Sequence, residues 1–307
     1  MINEARHTSS LRRAPARRFG LPAGYVGYLF VAPFLLAFVL FFVAPLIYAA
    51  YLSLFRQQLV GGTVFVGLDN FARALQDDKL LSGVLRMAQF FFIQVPVMLG
   101  IALFAALAID SGVLRFARAF RVGIFIPYAV PGVVAVLMWG YLYGDFGPFT
   151  QAARQLQLPV PDFLGPDLAL ASLANVVTWE YTGYNMIILF TALQAIDRTL
   201  YEAAAVDGAS SSRIAWSVKI PLLRPAILLT LLFSVIGSFQ LFTEAQLLQR
   251  IAPTVIDSSY TPNLYTYTLS FTGQQVNYAA AVSFLLGIVI VLASYAVLVI
   301  ANRRGRR

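Results

Sequence analysis

The chain has 307 residues, 59% hydrophobic and 12% charged, with a formal net charge of +8 and a mean hydropathy of +0.75. A water-soluble globule carries about 25% charged residues, so this composition cannot cover a soluble surface and points to a polytopic membrane protein. It contains no cysteine, and its single histidine, His7, lies in a polar tail; disulfides, a thiol nucleophile and a thiolate metal site are excluded.

A bilayer-crossing helix needs about 20 apolar residues, and six stretches qualify. Residues 1–18 form a basic tail carrying Arg6, Arg12, Arg13, Arg17 and Arg18. The first span, residues 19–55, is uncharged and far longer than the roughly 7–15-residue apolar core of a secretory signal. The second covers 87–109, the third 122–144 and the fourth 168–196, the last interrupted by Glu180. The fifth covers 225–243 and the sixth about 279–301. Pro33, Pro45, Pro96, Pro127 and Pro131 predict kinks within these spans.

With the N-terminus inside, 16 of the 22 basic residues fall on the cytoplasmic side. They include Arg115, Arg118, Arg121, Arg198, Arg213, Lys219, Arg224, Arg303 and Arg304. The excess of Lys and Arg thus encodes orientation rather than a nucleic-acid partner. The predicted fold is an all-α polytopic membrane protein. Residues 19–307 form one transmembrane domain of six helices, with both termini cytoplasmic and segments 56–86, 145–167 and 244–277 outside.

The segment between the fourth and fifth spans, residues 199–217, reads as two short helices joined by a sharp bend. Thr199 and Glu202 have capping-box spacing. Gly208 suits the left-handed residue that ends a helix, and the serines at 210–212 can cap the next. Two readings follow from these residues alone: a structured turn, or a lever that docks against a partner through Glu202, the small residues Ala203 and Ala204, and Asp207, Gly208 and Ala209.

The run Glu202-Ala203-Ala204-x-x-Asp207-Gly208-Ala209, with Pro221 and Pro225 beyond it, resembles the EAA loop of ABC importer permeases. Further pieces resemble the carbohydrate-uptake branch of that family. They are Val66–Phe71, Phe120 through Pro127 and Pro131 to Trp139-Gly140, Trp179 through Gly183 and Asn185, and Asn277 to Ser283. Two positions depart from the family: Asp197 stands where it usually has Pro, and Trp216 lies one place after the usual aromatic, which is Ala215 here. The resemblance implies a permease subunit in a prokaryotic inner membrane, surrounded by lipid. Its implied partners are a second permease subunit, two ATP-binding subunits and an extracytoplasmic solute-binding protein. The loop 199–217, with Trp216, would couple to an ATP-binding subunit. No G-x-x-x-x-G-K-[ST] phosphate loop is present. The chain is therefore expected to bind no cofactor and to be no enzyme, with ATP-Mg held in trans.

For the solute path the sequence offers Trp139, Glu180, Tyr184, Asn185, Ser238 and Gln240. An ionisable residue within a span is costly and often functional. Hydroxyl and amide groups beside aromatic rings suit a sugar, whose edges hydrogen-bond and whose C–H faces stack; polar and small residues also serve as helix contacts. Glu180, Gly183 and Tyr184 share a helical face, as do Gly237, Gln240 and Glu244 in the fifth span. A secondary transporter working alone would need paired intramembrane charges and a repeat, and a membrane enzyme would need clustered acid–base groups. An importer for another small polar solute is the remaining alternative.

Overall fold

The computed structural model describes residues 23–58 and 60–305. The predicted basic tail, His7, the start of the first span and the last two arginines lie outside the described residues. The chain forms two compact units, Met1–Ala49 and Ala50–Arg307.

In the first unit, helix α1 (Ala23–Phe38) passes through a π-helical turn, Val39–Val43, toward α2 (Ala44–Ser53). The turn has a local cause. Pro45 lacks an N–H, and its ring crowds the carbonyl four residues back. Widening the helix relieves both, and the Ala44 N–H donates to the Val39 carbonyl. Phe34, Phe38 and Phe42 stack along the helix with centroids 6.2 and 5.1 Å apart.

The second unit is mostly helical, as the sequence predicts, and adds one short hairpin that the all-α expectation did not include. After α2 the chain forms a two-stranded antiparallel hairpin, β1 (Phe55–Gln58) and β2 (Gly62–Phe65). Gly61 and Gly62 have φ of 102° and 75°, values open to glycine and not to β-branched neighbours. The β-branched and aromatic run Thr63-Val64-Phe65 then favours extended pairing. Helix α3 (Asp69–Ala74) follows, and Asn70 fastens it by donating to the carbonyls of Ser53 and Phe55, both at 2.8 Å.

The 33-residue α4 (Asp78–Asp110) is N-capped by Asp77, whose carboxylate accepts from the Lys79 and Leu80 N–H groups. It packs along the 26-residue α8 (Ala169–Gln194). Ala102, Ala106, Met186, Leu189 and Leu193 form the core between them. Between these helices lie α5 (Ala117–Ala129), α6 (Gly132–Tyr143) and α7 (Pro148–Gln155). The third predicted span is therefore not one straight helix. Val130 precedes proline and takes an extended conformation, φ −76° and ψ 128°, and the axes of Ala117–Ala129 and Gly132–Gln155 bend by 96°.

Helices α9 (Thr199–Val206) and α10 (Ser211–Ile214), a second π-turn (Ala215–Lys219) and α11 (Ile220–Leu222) lead into α12 (Arg224–Phe239). The π-turn again stands two residues ahead of a proline, Pro221, as the first stands ahead of Pro45. The axes of Ser211–Leu222 and Arg224–Phe239 bend by 66°. Helix α12 stops at Phe239, short of the predicted Thr243, and α13 (Thr243–Ile251) begins after a break. Helix α14 (Pro262–Tyr267), a third π-turn (Thr268–Thr272) and α15 (Val276–Gly305) complete the described residues.

Among the described residues, three helices are long and apolar enough to cross a membrane, and up to five if each bent pair is one span. Helix α8 is long enough, about 39 Å at 1.5 Å per residue, but is not among them. Its middle carries Trp179, Glu180, Tyr181, Thr182 and Asn185, and it is buried against its neighbours. An inward-facing helix can hold such residues, while a lipid-facing one cannot.

Candidate functional site

Helices α4, α8 and α12 enclose a cavity of about 320 Å³. The 3.6-residue period of α8 places Val177, Tyr181, Tyr184 and Asn185 on its wall. Helix α4 contributes Gln94 and Met98, and α12 contributes Ser234, Gly237 and Ser238. The break after α12 adds Gln240, and α13 adds Glu244. The polar groups are held in place. Asn185 Nδ2 donates to the Tyr181 carbonyl at 3.0 Å, and Gln94 Nε2 to Thr178 Oγ1 at 3.4 Å. Ser238 and Ser234 donate to the carbonyls four residues back, both at 2.8 Å, which leaves hydroxyl lone pairs free to accept. The Tyr184 ring stacks on Tyr128 at 4.9 Å.

Glu180 stands beside this wall. Its Oε1 and that of Glu244 lie 3.4 and 3.9 Å from the point a Cβ on Gly132 would occupy, so both carboxylates converge on the start of α6. Glu180 Oε2 is buried with no hydrogen-bond partner. Trp139 is elsewhere. It lines a second cavity of about 440 Å³ with Tyr143, Phe149 and Phe163, its ring 5.3 Å from Tyr143 and 6.3 Å from Phe149. The sequence expectation thus combined two sites that the fold separates: Tyr184, Asn185, Ser238 and Gln240 share one cavity and Trp139 belongs to another.

The two-helix segment forms with one correction. Thr199 does not cap α9; Asp197 accepts the Thr199 N–H at 3.0 Å, and Thr199 is already helical. These backbone and side-chain hydrogen bonds from Thr199 hold the Asp197 carboxyl below its ordinary range. Glu202 is exposed and takes no part in the cap. Asp197 can do this because it stands where a proline would have no carboxylate.

Gly208 ends α9 with φ of 80°. Its N–H donates to the Ala205 carbonyl at 3.0 Å and the Ala209 N–H to Ala204 at 2.9 Å, the two bonds of a Schellman cap. Ser210 then caps α10 by accepting from the Arg213 N–H. Glu202, Ala203, Asp207 and Gly208 are exposed, Ala204 and Ala209 half-buried. Trp216 is 72% exposed, on the π-turn rather than on a regular helix face. Ala204, Asp207, Ala209, Arg213 and Ser217 line a notch of about 270 Å³.

Residues 98–306 match the family of binding-protein-dependent transport system inner membrane components. The chain belongs to that family. Among relatives of this inner membrane component, the lactose transport system permease protein LacF of Rhizobium radiobacter is 32% identical, covering 88% of this chain and 91% of that one. The sn-glycerol-3-phosphate transport system permease protein UgpA of Agrobacterium fabrum is 31% identical over 71% of this chain and 75% of its own. A chain from the crystal structure of a bacterial ABC transporter involved in the import of the acidic polysaccharide alginate superposes with a TM-score of 0.80. It shares 20% identity and covers 91% of this chain and 96% of that chain, a likeness of fold.

The sequence reading of this inner membrane component passed over Gln94, Met98, Phe233 and Thr243, which also line the main cavity. Gln94 had a signal, an amide within a long apolar run ahead of Pro96. Met98 and Phe233 had none, since apolar side chains on a membrane helix look alike whether they face lipid, protein or a cavity.

Proposed function

We propose that this chain is one permease subunit of an ATP-driven importer whose cargo is a neutral sugar or a related polyol or glycoside. The cavity wall carries this reading. It offers amide and hydroxyl groups from Gln94, Asn185, Ser238 and Gln240 beside the rings of Tyr181 and Tyr184, with Glu244 the one acidic side chain among the described residues that line it. Amides and hydroxyls match sugar edges, and aromatic faces match sugar C–H surfaces. A phosphorylated or uronic cargo would call for Arg or Lys on the wall, and this wall carries neither. The lactose permease relative supports the neutral cargo.

In this reading the chain crosses the inner membrane six times, with α8 as the buried fourth span and both ends cytoplasmic. Segment 199–217 docks in a cleft of an ATP-binding subunit, with Glu202 and the bend at Asp207-Gly208 at the contact. A second permease, two ATP-binding subunits and a solute-binding protein complete the assembly, and ATP-Mg is bound by the partner subunits. A docked loop that moves with the closing ATP-binding subunits would switch the cavity between the two sides of the membrane.

The test is a tagged purification from the host in mild detergent, followed by mass spectrometry and uptake in vesicles. Recovery of an ATP-binding subunit and a second permease, with lactose-type sugars taken up in preference to sn-glycerol 3-phosphate, is the expected result. Recovery of the chain alone and monodisperse overturns the importer reading, and preferred uptake of the phosphate overturns the neutral cargo.

A further inference from the structure

One ion pair forms among the described residues, between Lys219 and Asp110. Its place in the fold is specific. Asp110 is the last residue of α4, and Lys219 ends the π-turn that Pro221 imposes. The Asp110 carboxylate also accepts from Gln194 Nε2, the last residue of α8, at 2.7 Å. The Lys219 ammonium stands 4.6 Å from the centroid of the Tyr201 ring on α9. Four segments thus meet at one pair: the ends of α4 and α8, helix α9, and the turn that leads into α12. Both charged side chains are nearly buried, at 8% exposure for Asp110 and 13% for Lys219.

Helix α9 has few other holds on the bundle, since Tyr201 and Ala204 are half-buried and its remaining residues are exposed. Beyond the turn and α11, Leu223 joins the core that α4 and α8 share. A buried ion pair is a poor source of net stability compared with apolar packing, and its attested use is to fix register. Apolar contacts slide; a carboxylate held by both an ammonium and an amide has one geometry.

We infer that Asp110 and Lys219 are positioning residues, the joint that makes segment 199–222 move as one body with α4 and α8, the helices that wall the cavity. This rests on the reading of that segment as the docking site of an ATP-binding subunit. Displacement of α9 would then pass through Lys219 to the cavity wall without a flexible link between them.

The experiment uses the purified complex. The chain has no cysteine, so nitroxides placed on Leu200→Cys (α9) and Phe104→Cys (α4), in a complex whose other subunits lack reactive cysteines, report the distance between segment and wall. In the parent complex a narrow distribution, unchanged between the nucleotide-free and ATP-trapped states, is expected. Asp110→Asn and Lys219→Met should broaden it. They should also cut stimulation of ATP hydrolysis by the solute-binding protein about tenfold, the range of coupling residues, with basal hydrolysis kept. The double exchange Asp110→Lys with Lys219→Asp should restore both. Single variants that match the parent in distance and stimulation overturn the inference, as does a double exchange no better than the single changes. A parent complex without an ATP-binding subunit overturns the docking reading and the inference with it, whereas its retention in the single variants confines any failure to the joint.

Discussion

Gly208 ends α9 at φ 80° and its N–H is used in the cap, so each substitution there has a distinct consequence. Proline fixes φ near −65° and removes the N–H. Gly208→Pro should abolish uptake with the chain still in the membrane, whereas Gly208→Asn, which tolerates the left-handed region, should keep most of it; uptake and membrane abundance measured together check both. Glu180 presents a buried oxygen with no partner, a costly arrangement unless something else in the assembly or the cargo meets it. Glu180→Gln should change the KM or maximal rate of uptake by more than about twofold, and unchanged kinetics would assign Glu180 to packing.

At the N-terminal end of α4, Asp77 accepts from Tyr265 at 2.7 Å and from Tyr278 at 2.6 Å. Burial raises its pKa, but the hydrogen bonds from Tyr278, Tyr265, Leu80 and Lys79 together hold it below the ordinary 3.8. A carboxyl lowered on folding adds stability above its unfolded pKa and loses it as pH falls through the lowered folded value. This clamp should therefore hold at neutral pH and loosen only below about pH 4. Asp77→Asn should remove that acid dependence and cost about 1–2 kcal/mol, read as faster hydrogen exchange in residues 262–278.

Among elements, the crossing of α5 and α8 is the tightest constraint. A Cβ at Gly183 would run into the Ile124 carbonyl and lie 2.7 Å from the Phe125 Cα. Backbone atoms cannot step aside as a side-chain end can. Gly183→Ala should lower stability by about 1–3 kcal/mol, measurable as an earlier thermal midpoint in detergent; an unchanged midpoint would show that α5 shifts freely. Gly183 was legible only as a small residue on the same face as Glu180, because the sequence does not say which helix approaches it. The same limit applies to α8 as a whole. Its polar middle lowers its hydropathy, and only the packing against α4 and α5 shows that these residues face protein. Of the three π-turns among the described residues, those at Val39–Val43 and Ala215–Lys219 were legible in principle, each two residues before a proline, while Thr268–Thr272 has no proline after it. The hairpin at 55–65 needed the paired positive φ values of Gly61 and Gly62 to be recognised.

At the scale of the whole molecule, the proposed orientation can be read directly because the chain lacks cysteine. Val160→Cys and Val206→Cys both stand at exposed positions, 41% and 88%. A membrane-impermeant maleimide applied to intact cells should label residue 160 and spare 206, and the reverse pattern would invert the topology. By itself, the sequence determined what depends on local composition. Apolar runs mark membrane segments, charge bias predicts their direction, and Gly208 and Ser210 mark the bend between α9 and α10 through bonds closed within a few residues. The tertiary structure alone decided which faces meet. Asp110 finds Lys219 across 109 positions, Glu180 and Glu244 converge on Gly132, and Trp139 leaves the cavity that Tyr184 and Asn185 enter. Such meetings are set by how helices cross, and in a membrane protein apolar patterning does not separate a lipid-facing stripe from one that packs on a neighbour.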